Sequence, residues 1–372
     1  MPSYNPQPYA KAAAPQPQPP RSRRWRPALA GLSLLLLTLL ALLGALWGWA
    51  GSSGSLASVL ARAGQFMPEG QSLQADDVSG SLRAGGRIGR LRWSSPTLAV
   101  EVDDARIAWR LAPLLRGQLR LTELQAAAIT LTPQGEASSE PLEPLQQLVP
   151  ALQVELPFRA GRITWAAANP VTIDGLAGSY RYDGEQHRLA VDQLGLAQGR
   201  YALQATLQAQ APMALTATVS GSLHQGLPGS TETLQARLQA SAQGQLATAD
   251  ARLEVTASLR PATDAGTPAA PLHADLQARI APWASQPLLQ ATAELQGLDL
   301  AALWPQAPGT RLSGSAGLEP TASGWTVQAT LRNTEPGPWD KQRLPLDSLQ
   351  ARAAYDGQQW IVSEALLHAG KG

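Results

Sequence analysis

Four histidines, two acidic pairs and one glycine-rich stretch are the residues that could do chemistry in this chain. His187, His224, His273 and His368 lie too far apart for a metal-ligand motif, and no cysteine accompanies them. They are expected on strands or turns, facing solvent. Asp76-Asp77 and Asp103-Asp104 would have to converge in a pocket to act as acid and base, and turn chemistry explains both pairs more cheaply. Ser52-Ser53 and Ser94-Ser95 have no nucleophile-elbow context. Gly85-Gly86-Arg87-Ile88-Gly89 is followed by no helix, so a hairpin turn is expected there rather than a phosphate loop. Trp93, Trp109 and Trp165 suit a binding groove or a core equally well. The expectation is a non-enzymatic protein with no catalytic residue, no metal site and no cofactor.

The elements that hold these residues divide sharply. Residues 1–26 contain seven prolines and no acid. Such a segment buries too little apolar surface to offset its ordering entropy, so a disordered basic tail is expected. Residues 27–61 then carry no charge, and residues 28–50 are almost wholly Leu and Ala. At about 1.5 Å per residue, a helix over residues 27–50 would cross a hydrocarbon core of about 30 Å. Arg23, Arg24 and Arg26 precede it, Trp47 and Trp49 stand at its far end, and the first acid is Glu69. The positive-inside rule puts the tail in the cytoplasm and the body in the bacterial periplasm, with the chain anchored in the inner membrane. A cleaved signal peptide is the competing reading, but its apolar region is normally about 7–15 residues.

Residues 51–70 form a juxtamembrane segment. Within it Leu56, Val59, Leu60, Ala63 and Phe66 follow helical spacing. Beyond it, over residues 71–372, the apolar period is two. Tyr201, Leu203, Ala205 and Leu207 alternate with polar residues, as do Leu253, Val255, Ala257 and Leu259. This predicts half-buried strands, about fifteen to twenty of them. Turn signals such as Asp183-Gly184 and Asp356-Gly357 make the connections short and the neighbours antiparallel. Asp299 is expected to cap a helical turn through Leu303, and Pro141–Pro150 to form another helical interruption. The fold class is therefore all-β: a long antiparallel, twisted, trough-like sheet after one N-terminal helix. The net charge of +1 gives no basic face for nucleic acid.

The layout resembles a known family. Leu91–Trp93, Ala108–Arg116, Gly117–Thr132, Leu298–Pro305 and Pro336–Asp340 look like segments of the AsmA-like family, and most closely of its TamB branch, from the translocation and assembly module. The resemblance runs from about residue 26 to the end. It implies a β-trough with a lipid-lined interior that bridges toward the outer membrane. It also implies two roles: moving phospholipid, and assisting outer-membrane protein insertion with a barrel partner of the TamA type. Members of the family are longer, so the chain is expected to be an N-terminal part that lacks the partner-binding region.

One alternating set of side chains should line such a trough and meet acyl chains. For the early strands it comprises Ile107, Trp109, Leu119 and Leu121, then Ile129, Leu131, Ile163 and Trp165. Arg106, Arg110, Arg120 and Thr130 should face the other way. A strand-edge scaffold for client proteins is the second reading, and an enzyme with an unrecognised site the third. If the N-terminal run is an anchor, the protein recovered from the membrane fraction keeps residues 27–50. Mass spectrometry finding a mature N-terminus near Gly51 would identify a cleaved signal instead.

Overall fold

The computed structural model describes residues 41, 42, 44–135, 144–167, 170–197, 199–226, 233–262, 273–284, 286–301, 307–321, 324–355 and 359–369. The chain forms two compact units, Met1–Trp49 and Ala50–Gly372. In the first, residues 44–49 are helical, with Trp47 and Trp49 exposed. The rest of the expected anchor and tail lies outside the described residues, among which no helix is long and apolar enough to cross a membrane.

The second unit is all-β. A helix, α1 (Ser55–Ala63), and a 3-10 turn over Gly64–Phe66 precede the strands. The first nine strands are β1 (Ser72–Ser81), β2 (Gly85–Ser94), β3 (Leu98–Arg110), β4 (Gln118–Pro133), β5 (Gln153–Trp165), β6 (Val171–Tyr182), β7 (Gln186–Leu196), β8 (Gly199–Gln208) and β9 (Ala214–Gly226). The remainder are β10 (Thr233–Gln245), β11 (Arg252–Pro261), β12 (His273–Ile280), β13 (Leu288–Leu298), β14 (Leu312–Pro320), β15 (Trp325–Asn333), β16 (Ser348–Tyr355) and β17 (Trp360–His368). Each strand pairs with the next in sequence, so 17 strands make one open sheet. No second sheet packs on either face among the described residues.

One pair departs from the antiparallel expectation. β4 and β5 run parallel, with Gln118 opposite Gln153 and Leu131 opposite Trp165. A parallel neighbour must start at the margin where its predecessor started, so the connection must return the length of a strand. Residues 144–150 of that link are not helical, contrary to the expectation for Pro141–Pro150. They run extended, with Gln147 bridged to Gln210 and the Leu148 N–H donating to the Ala209 carbonyl at 2.8 Å.

Pairing keeps apolar residues in line. One row runs Phe158, Gly178, Val191, Leu203, Val219, Ala240 and on through β17, each residue the direct partner of the last. In β1–β7 the alternation slips by one residue along a crease. Asp77 (φ 54°) and Asp104 (φ 48°) sit on it in the left-handed region, as does Gly175 (φ 64°). At Gly161 a Cβ would lie 2.6 Å from the Ala127 carbonyl oxygen. In β8 there is no slip, and Tyr201 and Leu203 there pair with Leu194 and Val191 from either side of the β7 irregularity. The apolar residues on both sides of the crease therefore share one face.

The two margins of the sheet are closed differently. Three indole N–H groups at one margin donate to carbonyls two strands away: Trp109 to Leu82 at 2.8 Å, Trp283 to Leu246 at 2.9 Å and Trp325 to Leu288 at 2.8 Å. At the other margin Leu223, Ala236, Leu259, Leu298 and Leu312 form a buried cluster. Asp299 Oδ1 there accepts from the Ala301 and Thr310 N–H groups, while the helical turn expected through Leu303 falls on residues 302–306, which lie outside the described residues. α1 lies against β1, tied by Ser55, whose buried hydroxyl donates to the Ser52 carbonyl at 2.8 Å and accepts from the Leu82 N–H at 3.1 Å.

The glycine stretch is not the expected hairpin turn. Gly85–Gly89 begins strand β2, and the turn is at 82–84. Gly86 is needed because a Cβ there would stand 1.9 Å from the Ser79 carbonyl oxygen. Trp109→Phe keeps an aromatic side chain but removes the indole N–H, its part-buried bond and some packing, so urea unfolding should show a loss of at least about 1 kcal/mol. Trp165→Phe, at a ring that is 42% exposed with no such bond, should stay within about 0.5 kcal/mol of the parent.

Candidate functional site

The eight side chains expected to line a groove stand on one face. Trp109 is the partner of Leu121, Leu119 of Val154, Ile129 of Ile163, and Leu131 of Trp165. Ile107 pairs with Leu124 across a bulge in β4 that brings Leu124 onto this face between Leu121 and Ile129. All but Trp165 are half-buried, with no covering layer among the described residues. Two rows cross β1–β6 here. One runs Leu73, Trp93, Val100, Leu131, Trp165 and Val171; the other runs Ala75, Leu91, Val102, Ile129, Ile163 and Ile173. Parity reasoning named groove residues for β3–β5 only, and the alternation already read in Tyr201–Leu207 and Leu253–Leu259 continues the same face through the later strands.

The opposite face is charged at one end and hydroxyl-rich at the other. Arg106, Arg110 and Arg120 are exposed on it, as expected, while Thr130 is half-buried. The acidic pairs are not in turns between strands. Both lie inside strands at the crease, where Asp104 pairs with Arg87, Asp103 with Arg90 at 3.1 Å, and Asp76 with Arg92 at 3.5 Å. Over β9–β13 this face holds a depression of about 790 Å³ lined by Thr218, Ser220, Gln239, Ser241, Thr256 and their neighbours in β12 and β13.

No family model, no curated protein and no solved structure matches the chain.

The histidines divide three ways. His187 is buried at 6% exposure, which corrects the solvent-facing expectation. Its Nε2–H donates to the Leu148 carbonyl at 2.7 Å, so in the neutral ring Nδ1 accepts from the Tyr180 hydroxyl at 2.7 Å. The ring stacks on Tyr182 at 4.6 Å, and burial raises the Tyr180 hydroxyl pKa. Sequence could not show this, because Leu148 reaches the site from the β4–β5 link. The cluster pins that link to the apolar face. His368 is exposed beside Ser348, and the His224 side chain is outside the described residues.

His273 shares Asp275 with Arg260 on the polar face. Arg260 Nη2 donates to Asp275 Oδ1 at 2.6 Å and His273 Nε2 to Oδ2 at 2.6 Å. The Arg260 bond, then the His273 bond, hold the Asp275 carboxyl below the usual carboxylate range. No group of three or more His, Asp or Glu residues placed to hold a metal occurs among the described residues. A carboxyl with a depressed pKa in the folded state stabilises above its unfolded pKa, and that contribution is lost as pH falls through the folded value. Asp275→Asn should therefore lower the melting temperature at pH 7. The two proteins should converge as pH drops below the ordinary carboxylate range, followed by circular dichroism.

Proposed function

We propose that this protein is an inner-membrane-anchored periplasmic conduit whose apolar sheet face carries phospholipid acyl chains toward the outer membrane. The observation that carries the reading is the continuity of the apolar rows. Successive strands stand about 4.8 Å apart, so aligned rows make an unbroken apolar path across the sheet. An acyl chain moving along it avoids water at about 0.8 kcal/mol per methylene. Lipid headgroups would stay in solvent at a margin. No energy source is part of the mechanism, so flux follows a gradient or an outside driver. The TamB resemblance implies the same bridging role between membranes and a TamA-type barrel as partner. Curling of the sheet into a trough, with the apolar face inward, belongs to this proposal.

A second reading is a strand-edge scaffold for outer-membrane protein assembly. It would use an exposed strand edge, which can template another strand.

Photo-crosslinking in cells separates the two. A photoreactive residue at Leu121 or Val219 should capture phospholipid, and one at Arg120 or Ser220 should capture little. Equal capture on both faces, or none in folded protein, would remove the conduit. Protein adducts in place of lipid would then support the scaffold.

A further inference from the structure

We infer that the turn Ala112–Arg116, between β3 and β4, is a second membrane contact, with Leu115 inserted among acyl chains and Arg110 and Arg116 on anionic phospholipid headgroups. It rests on the reading that residues 27–50 span a membrane. Leu115 is 93% exposed, more than any other large apolar side chain among the described residues. The turn that presents it is well fixed. Pro113 stands in its first turn, and Gly117 closes it at φ 74° with its N–H on the Leu114 carbonyl at 3.0 Å. The Gly117 carbonyl in turn accepts from the Gln153 N–H at 3.0 Å. The turn therefore presents one apolar side chain in a fixed position, and the charges beside it decide what it can meet.

The charge around it selects the partner. Arg110 stands directly opposite Arg120, an arrangement that costs stability unless anions answer it. Glu155 answers Arg120 at 3.3 Å, and no ion pair to Arg110 or Arg116 is seen among the described residues. Two arginines flanking one exposed leucine match an anionic lipid surface, which offers phosphate above and hydrocarbon below.

Position supplies the third argument. Ala50 is the first residue of the sheet-bearing unit, and its carbonyl accepts from the Arg83 N–H at 3.2 Å in the β1–β2 turn. The carbonyls on either side of Arg83 accept from Trp109: Leu82 from the indole and Ala84 from the backbone N–H at 3.4 Å. The strand that ends in Arg110 and runs into the turn is thus bonded to the hairpin where the chain enters the body.

The chain has no cysteine, so Leu115→Cys introduces a single thiol for an environment-sensitive apolar fluorophore. The full chain, labelled there or at exposed Gln134 on the opposite margin, is reconstituted into phosphatidylethanolamine–phosphatidylglycerol vesicles containing brominated acyl chains. Quenching should be several-fold stronger at position 115 than at 134. It should fall to the control level in phosphatidylcholine vesicles and in the Arg110→Gln/Arg116→Gln variant. Protein that floats with the vesicles but is quenched no more at 115 than at 134 would overturn this inference and leave the anchor standing. Protein that does not float with vesicles at all would overturn the anchor and this inference together.

Discussion

Register governs this molecule. Every strand presents alternate residues to opposite faces, so a slip of one position would send each apolar side chain to the polar face. Most sheets of this size are guarded against slippage by a second layer that rewards the right register with burial. Here no second layer packs on the sheet among the described residues. The work falls on ladder pairing itself, on cross-strand partners such as Leu203 with Val219, and on devices at the margins. The three indole bonds each span an intervening strand and tie alternate strand ends together, which resists sliding as well as fraying.

The crease through β1–β7 is a compensated error in alternation. Strict alternation would put Val100 and Ile107, seven residues apart, on opposite faces, and the slip at Asp104 brings them to one. Because Asp77, Gly89, Gly161 and Gly175 meet the same line on neighbouring strands, the whole sheet steps together and the apolar face survives. The charges step with it: Asp103 and Asp104, adjacent in sequence, both find arginines on the polar side. The polar face holds the depression over β9–β13 while the apolar face carries the continuous rows, so the two candidate binding surfaces of this sheet differ in chemistry as well as in side.

Much of this was legible beforehand because alternation is local. The strands around Leu203, Leu215 and Leu253 lie where period two put them, and α1 lies where Leu56, Val59 and Leu60 put it. The eight groove candidates share a face even though parity within β4 slips twice, since two slips restore it by Ile129. What was not legible depends on partners distant in sequence. The parallel β4–β5 pair follows from where a link returns, and the burial of His187 from where that link lands. Gly85-Gly86 read as a turn because glycine marks both turns and close strand approach, and only the Ser79 carbonyl tells them apart.

Among the described residues each strand's ladder is formed with its neighbours in sequence, and this has a consequence for how the fold is acquired. Apart from the one returning link, no segment must wait for a distant part of the chain. Stability in such an array is close to a sum of local and nearest-neighbour contributions, as in solenoid proteins. The low sequence separation of contacts favours rapid pairing. A chain delivered from its N-terminus can therefore zip onto a growing edge strand by strand, with α1 covering the starting edge at β1. By the same logic, evolution can lengthen or shorten the array by whole hairpins, since removing one leaves two edges of the same kind to rejoin.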